Sequence, residues 1–241
     1  MGKYYNVDAL AGPSGLGVLA AIVDRCEAFA ARLPIDDDMA AAFLQILIEQ
    51  ISSEVRSGRL CLARTPLPAA VVRLYKARLP GGRLKLQLFA LGQGEAHPPH
   101  AHQNLLSCQI VLAGAVRVEQ FSLMRRIAPG EIEVQPEPSR RLGPGEGVFT
   151  TLRHNNLHWQ EGLVPGTVLL NINWQGFDPA PVPEPVGRER PEMRYGRRYV
   201  DMNRARPSGR GDFLIVPDLE AGQEGGGPEP GSRSPDLFNS W

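Results

Sequence analysis

The apolar positions of this chain change period along its length. Between residues 13 and 57 they recur at steps of three and four. Leu16, Leu19, Ile22, Val23, Cys26, Phe29, Ala30 and Leu33 make one stripe, and Phe43, Leu44, Leu47, Ile48, Ile51 and Val55 make a second. That spacing predicts two amphipathic helices. Ser14, following Pro13, is the expected N-cap of the first, and Pro34 its stop. Asp36, Asp37 and Asp38 place negative charge at the start of the second, where the helix dipole favours it, and Gly58 is a C-terminal stop. Neither helix can bury its stripe alone, so both are expected to pack on the segment C-terminal to them.

Between residues 68 and 176 the period becomes two. Val71–Arg78 reads as a strand, Pro80-Gly81-Gly82 as a turn, and Leu84, Leu86 and Leu88 alternate with Lys85, Gln87 and Phe89. Gln109–Phe121, broken by Gly114, is followed by strand candidates at Gly147–Leu152 and Thr167–Trp174. Many short strands with no helix between them predict a mainly β antiparallel sandwich or barrel. After Asp178 the pattern dissolves: Pro179, Pro181, Pro183 and Pro185 alternate, residues 188–198 are rich in Arg, and 221–236 are Gly, Pro, Glu and Ser. The expected organisation is a helical segment at 1–64, a β domain at 65–178, and a Pro/Arg/Gly-rich, partly disordered extension at 179–241.

Composition narrows the function classes. The chain has 241 residues with 26 Lys plus Arg against 26 Asp plus Glu. A neutral chain lacks the basic footprint of a nucleic-acid binder and the polybasic excess that anionic membranes attract. Cys26, Cys61 and Cys108 are too few and too scattered for a disulfide framework, which favours a reducing compartment. The apolar run Leu16–Val23 is too short to span a bilayer and lacks the flanks of a signal peptide, so a cytoplasmic protein is expected.

The candidate chemistry lies in the histidines. All 5 of them, His97, His100, His102, His154 and His158, fall inside the stretch of period two. A doublet such as His100 and His102 on a strand projects both rings from one face. Imidazoles suit divalent transition metals, and a third from a neighbouring strand would complete three coordination positions and leave others open. His97, before Pro98-Pro99, is expected at the entrance of such a site.

Gly94 is followed by five residues, His100-Ala101-His102, four residues, Ser107, six residues and Gly114. This resembles the first motif of the cupin superfamily, with Ser107 standing where that family usually has glutamate. The resemblance covers residues 68–176 and implies a double-stranded β-helix, an antiparallel barrel with a metal inside. The second motif is degraded. Counted from Gly143 its histidine is His154, with His158 in the place of the family's asparagine. Counted from Gly147 it is His158, with Gly162 in that place. Val148–Leu152 reads as a strand, Arg153–Asn156 as a polar turn and Leu157-His158-Trp159 as the opening of the next strand. In the family the ligand opens that strand, which favours His158, with His154 as the alternative.

Without the glutamate, three neutral imidazoles leave a metal its full charge and more open positions, enough for an anionic bidentate substrate and O2 together. Among cupins the chain looks most like the three-histidine non-haem iron thiol dioxygenases, and Leu157–Glu161 is similar to their third-ligand region. The resemblance implies Fe(II), with Mn, Ni or Zn as alternatives, and O2 with a small molecule as substrates, a thiol being oxidised to a sulfinate. Three-histidine cupins that cleave carbon–carbon bonds fit nearly as well. A metal-dependent isomerase or lyase and a non-catalytic ligand-binding cupin are further alternatives. By analogy the two helices could mediate a homodimer. Cys108 sits one position late for the cysteine of the thiol dioxygenase cross-link, and alternation turns it to the opposite face. Arg73 and Lys85 are candidates for holding a substrate carboxylate, and Tyr75, read as sharing a face with Arg73, for donating a hydrogen bond to O2. Tyr195 and Tyr199 could do so only if the extension covers the barrel mouth.

Overall fold

A computed structural model describes residues 2–32, 35–64, 67, 69–79, 82–128, 130–175 and 196–217. The two apolar stripes form α1 (Gly12–Ala30) and α2 (Asp37–Arg56). Ser14 does not cap α1. The N-cap is Ala11, without a side-chain hydrogen bond, and Pro13 lies in the first turn, where its missing N–H has no partner to lose. Asp36 caps α2, its side chain accepting from the Met39 N–H at 2.6 Å. Beyond α2 the Gly58 backbone turns left-handed at φ 73°, and the N–H groups of Arg59 and Leu60 both return to the Glu54 carbonyl. Leu16 stands 42% exposed in the first turn of α1, while Leu19, Ile22, Cys26 and Phe29 are buried as expected. Pro34, Pro80 and Gly81 lie outside the described residues.

The strands are arranged in two antiparallel sheets. The first, in spatial order, joins β1 (Lys3–Tyr4), β2 (Val71–Leu79), β3 (Gly82–Leu91), β11 (Thr167–Gln175), β5 (Leu105–Ala113) and β9 (Gly147–Thr150). The second joins β12 (Gly196–Tyr199), β4 (Ala96–Gln103), β10 (Leu157–Gly162), β6 (Val116–Ala128), β7 (Glu131–Pro136), β14 (Leu214–Pro217) and β13 (Arg206–Pro207), with β8 (Arg140–Leu142) also on β6. The expected single barrel is therefore not closed: among the described residues no ladder passes from one sheet to the other. The break foreseen at Gly114 separates β5 from β6. Its φ is +76° and an added Cβ would sit 2.5 Å from Thr167 Oγ1, so only glycine fits.

Alternation divides the side chains into three cores. Leu84, Leu86 and Leu88 of β3, with Cys108 and Ile110 of β5, face α1 and α2. Phe29 stacks on Phe43 at 3.9 Å and meets Trp174 edge-on at 5.5 Å. Between the sheets, Leu91, Val111, Val116, Val118 and Leu169 form an apolar plug. A third cluster lies on the far side of the second sheet, where Val200 and Val216 cover Ala101, Phe121, Val134 and Leu157.

That third core is built by residues 196–217 of the extension. They add β12 to one edge of the second sheet and β14 to the other, and the Asp201 N–H reaches the Pro217 carbonyl at 3.0 Å. Arg210 of this strap and Arg125 of β6 share the buried Glu133, at 3.1 and 2.8 Å. The Arg125 hydrogen bond, with the neighbouring positive charges, holds the Glu133 carboxyl below its ordinary range. The folded state therefore binds this proton less readily than the unfolded chain. Its stabilisation is present above the unfolded value, about pH 4.3, and is lost as pH falls through the lower folded value. Melting curves of the wild type and Glu133→Gln should accordingly converge on acidification below about pH 4. A gap of constant size would show that the strap does not depend on this charge.

Candidate metal centre

β10 lies between β4 and β6, and its register sets His158 directly opposite His100. Directly opposed residues share a face, and alternation along β4 puts His102 on the same one. Their neighbours Leu157 and Ala101 point the other way into the strap core. The result is a buried group of three imidazoles, at 1%, 6% and 2% exposure for His100, His102 and His158. Ring centroids are 4.4 Å apart for His100–His158, 4.8 Å for His102–His158 and 5.2 Å for His100–His102. One nitrogen from each lies within 4.8 Å of the others.

Hydrogen bonds on the far nitrogens orient two of the rings. His100 Nδ1 is 2.9 Å from the Pro98 carbonyl, which can only accept, so the proton is on Nδ1 and Nε2 carries a lone pair. His102 Nδ1 is 2.8 Å from Thr150 Oγ1, a hydroxyl that can accept from it or donate to it. The two Nε2 atoms then face each other at 3.3 Å. At that distance one proton can bridge the pair when Thr150 donates to His102 Nδ1, and a cation can bridge it when Thr150 accepts. Two nitrogens each about 2.0–2.1 Å from one transition-metal ion are separated by roughly 3.0–3.4 Å at octahedral to tetrahedral angles. The donor set thus fits a divalent metal, and the outer hydrogen bonds are those that metal-bound imidazoles use to fix ring and tautomer.

His154 is not part of this group. It sits on the turn between β9 and β10, half-exposed, with Nε2 3.1 Å from Asp38 and 3.8 Å from Asp37. The turn is held from α2: Asp37 accepts from Thr151 Oγ1 and the Leu152 N–H, both at 2.8 Å, and from the Arg153 N–H at 3.2 Å. Asn155 takes a left-handed φ of 53° there. Asn156 then donates to the His102 carbonyl at 2.9 Å and the Thr151 carbonyl at 2.8 Å. This turn carries His154 outward and lets His158 open β10 facing β4.

The other expected residues are dispersed. The His97 ring lies 4.8 Å from that of His100 and meets Phe89 edge-on at 5.7 Å, beside the trio. Tyr199 is opposite His100 in the β12–β4 pair, with ring centroids 6.0 Å apart. Tyr195 lies outside the described residues. Tyr75 does not share a face with Arg73. A register shift between them turns Tyr75 toward the helices, where its hydroxyl donates to Glu27 at 2.7 Å and burial pushes the phenol pKa up. Arg73 packs over the Tyr5 ring at 5.5 Å. Cys108 faces the helix-side core near Cys26, and burial holds both thiols protonated, Cys26 pushed up to about 12.

Ser107 hydrogen-bonds Asn171 at 3.3 Å on the inner face of the first sheet. Gln160 donates to Gln109 across the inter-sheet space, and Gln120 donates to the Phe149 carbonyl at 3.0 Å. Sequence reasoning passed over these amides, together with Thr150, Asn156 and Asp37. A signal existed: Ser107 and Gln109, and Asn171 and Asn173, interrupt fully buried strands at a spacing of two, which marks one polar face.

No protein-family model matches this chain, and no curated protein matches it. Among solved structures it is similar to KdgF from Halomonas sp., at 19% identity over 54% of this chain and 88% of that one, with a TM-score of 0.31. It is also similar to TT1209 from Thermus thermophilus, at 20% identity over 46% and 87%, TM-score 0.33. A recombinant oxalate oxidase in complex with glycolate matches at 17% identity over 48% and 56%, TM-score 0.30. Superpositions at these scores do not decide a family or an activity. The metal reading rests on the imidazoles themselves.

Proposed function

We propose that this chain is a metal-dependent cupin-type enzyme in which His100, His102 and His158 hold Fe(II), and that it is a dioxygenase of a small molecule, a thiol taken to its sulfinate. The observation that carries the metal reading is the convergence of three buried imidazoles, with one nitrogen of each within 4.8 Å of the others. Bound there, iron(II) would supply the redox centre at which the thiol and O2 meet, both oxygen atoms ending on sulfur. The chain's own residues supply the surroundings. Three neutral ligands leave the ion its charge, which favours an anionic thiolate. The plug of Leu91, Val111, Val116, Val118 and Leu169 keeps one end of the inter-sheet space dry, and the amides of Gln109, Gln160 and Asn171 face it as hydrogen-bonding groups.

Those amides favour a second reading, a metal-dependent isomerase or lyase, because they suit hydroxyl and carbonyl groups better than sulfur. Oxygen uptake separates the two. Protein reconstituted anaerobically with Fe(II) should bind about one equivalent and, with cysteine, 3-mercaptopropionate or the dicarboxylate mercaptosuccinate, consume one O2 per sulfinate formed. Bound metal with no oxygen uptake on any thiol leaves the isomerase reading. Protein that takes no divalent ion overturns both. A cytoplasmic location and a homodimer through α1 and α2 complete the proposal. Cys26, Cys61 and Cys108 are all free thiols, which fits a reducing compartment. Among the described residues no helix is long and apolar enough to cross a membrane.

A further inference from the structure

The inner face of the first sheet carries a concentration of positive charge at its β1–β3 corner. β2 and β3 set Lys76 opposite Lys85 and Arg78 opposite Arg83, and β1 sets Lys3 opposite Lys76. Directly opposed residues project from one face, and here it is the face turned away from the helices, since Val72, Leu74, Ala77, Leu84 and Leu86 fill the helix-side core. Arg73 joins them opposite Gln87, and the Tyr5 ring lies beneath both Arg73 and Lys3, at 5.5 and 5.4 Å. Lys3, Arg73, Lys76, Arg78 and Arg83 are exposed and Lys85 is half-buried. Among the described residues, the ion pairs go to His154 and to other arginines, and none involves Lys3, Arg73, Lys76, Arg78 or Arg83.

The chain as a whole is neutral, so this clustering is a matter of placement. Like charges directly opposed across a ladder destabilise it, and two such pairs, Lys3–Lys76 and Arg78–Arg83, meet in one corner. An anion seated among them would offset that repulsion. The corner is also continuous with the imidazoles. Lys85, Asn173, Ser107 and Thr150 occupy directly opposed positions across β3, β11, β5 and β9, and Thr150 is the hydroxyl on His102 Nδ1. Three interstrand spacings of about 4.8 Å put roughly 14 Å of sheet between Lys85 and Thr150.

We infer that this corner binds a small molecule carrying two or more anionic groups, carboxylate or phosphate, held by Lys76, Arg78 and Arg83. The remainder of that molecule extends along the polar row toward His102, which makes it the substrate; this second part rests on the metal reading above, and the anion site does not. Isothermal titration of the metal-free full chain with tricarballylate and with pyrophosphate, at low and high NaCl, tests it. At least one of the two should bind, more weakly as salt rises, and the tighter one names the anionic group. K76Q/R78Q should weaken binding about tenfold or more, each lost charge-assisted contact being worth at least that. With no anion present the same double variant should melt no lower than wild type, because opposed charges have been removed. R140Q/R141Q, an exposed basic pair on β8, should leave binding unchanged. Binding of neither anion, or equal losses in the two double variants, overturns the inference. A parallel zinc titration keeps the readings apart: zinc without anion binding sinks this inference alone, and anion binding without zinc sinks the metal reading alone.

Discussion

Replacing His102 by alanine should abolish tight metal binding. Divalent zinc bound to a protein site commonly contributes about 10–16 kcal/mol, and removing one of three ligands forfeits roughly a third of it, on the order of 10³-fold in Kd. The same loss is expected for His100→Ala and His158→Ala. His154→Ala should change nothing, since that ring lies on the surface against Asp38. Competition with a chromophoric chelator measures all four. A second readout identifies the cause. Without metal, the Nε2 atoms of His100 and His102 lie 3.3 Å apart, a contact that one shared proton satisfies, so truncating either ring leaves a hole and an unpaired nitrogen. The metal-free variants should therefore lose about 2–5 kcal/mol, the ordinary cost of a buried truncation, and added metal should raise the melting temperature of the wild type but not of the variants. Variants that keep metal affinity, or a wild type whose melting temperature metal leaves unchanged, would identify the imidazoles as a filled polar interior with no ion.

Asp37→Ala should be the most damaging substitution outside the imidazoles. Its carboxylate accepts from Thr151 Oγ1 and from the Leu152 and Arg153 N–H groups, so alanine leaves three donors of a partly buried turn without their acceptor. At about 1–3 kcal/mol for each donor that is truly buried, with the rest rescued by water, the cost is about 2–4 kcal/mol. The same turn carries Thr150 on His102 Nδ1 and Asn156 on the His102 carbonyl, so metal affinity should fall about 10–100-fold, the usual effect of an outer partner. Asp38→Ala is the control. It removes the same charge from the same helix end, but its side chain is 94% exposed and holds no backbone group. Equal metal affinity in the two variants would confine Asp37 to a structural role.

Much of the fold was legible because it follows from periodicity. Two amphipathic stripes became α1 and α2, and strands of period two became antiparallel sheets, since a helix or strand with one apolar face must bury it whichever neighbours it finds. The break at Gly114 and the outward turn of Cys108 followed from local geometry in the same way. Other features depended on contacts distant in sequence. A bulge in β2 reversed Tyr75, because one extra residue in a ladder inverts the faces beyond it. Residues 196–217, rich in Arg, Pro and Gly, carry no strand pattern. They became strands because the edges of the second sheet offered unpaired N–H and C=O groups. The expected barrel is two sheets, and the edges of the second are extended by β12 on β4 and by β14 on β7.

The candidate site divides along the same line. That His100 and His102 point the same way is a property of any strand, so the doublet and its suitability for a metal were determined by the amino-acid order alone. Between His158 and His154 the order of residues gave a preference, for the histidine that opens a strand, and the turn before that strand settled it in the same sense. Asp37 fastens that turn to α2 from 114 to 116 positions away. The basic corner has the same origin. Lys3, Lys76 and Lys85 are ordinary surface charges in the linear chain, and only the register of three paired strands sets them face to face.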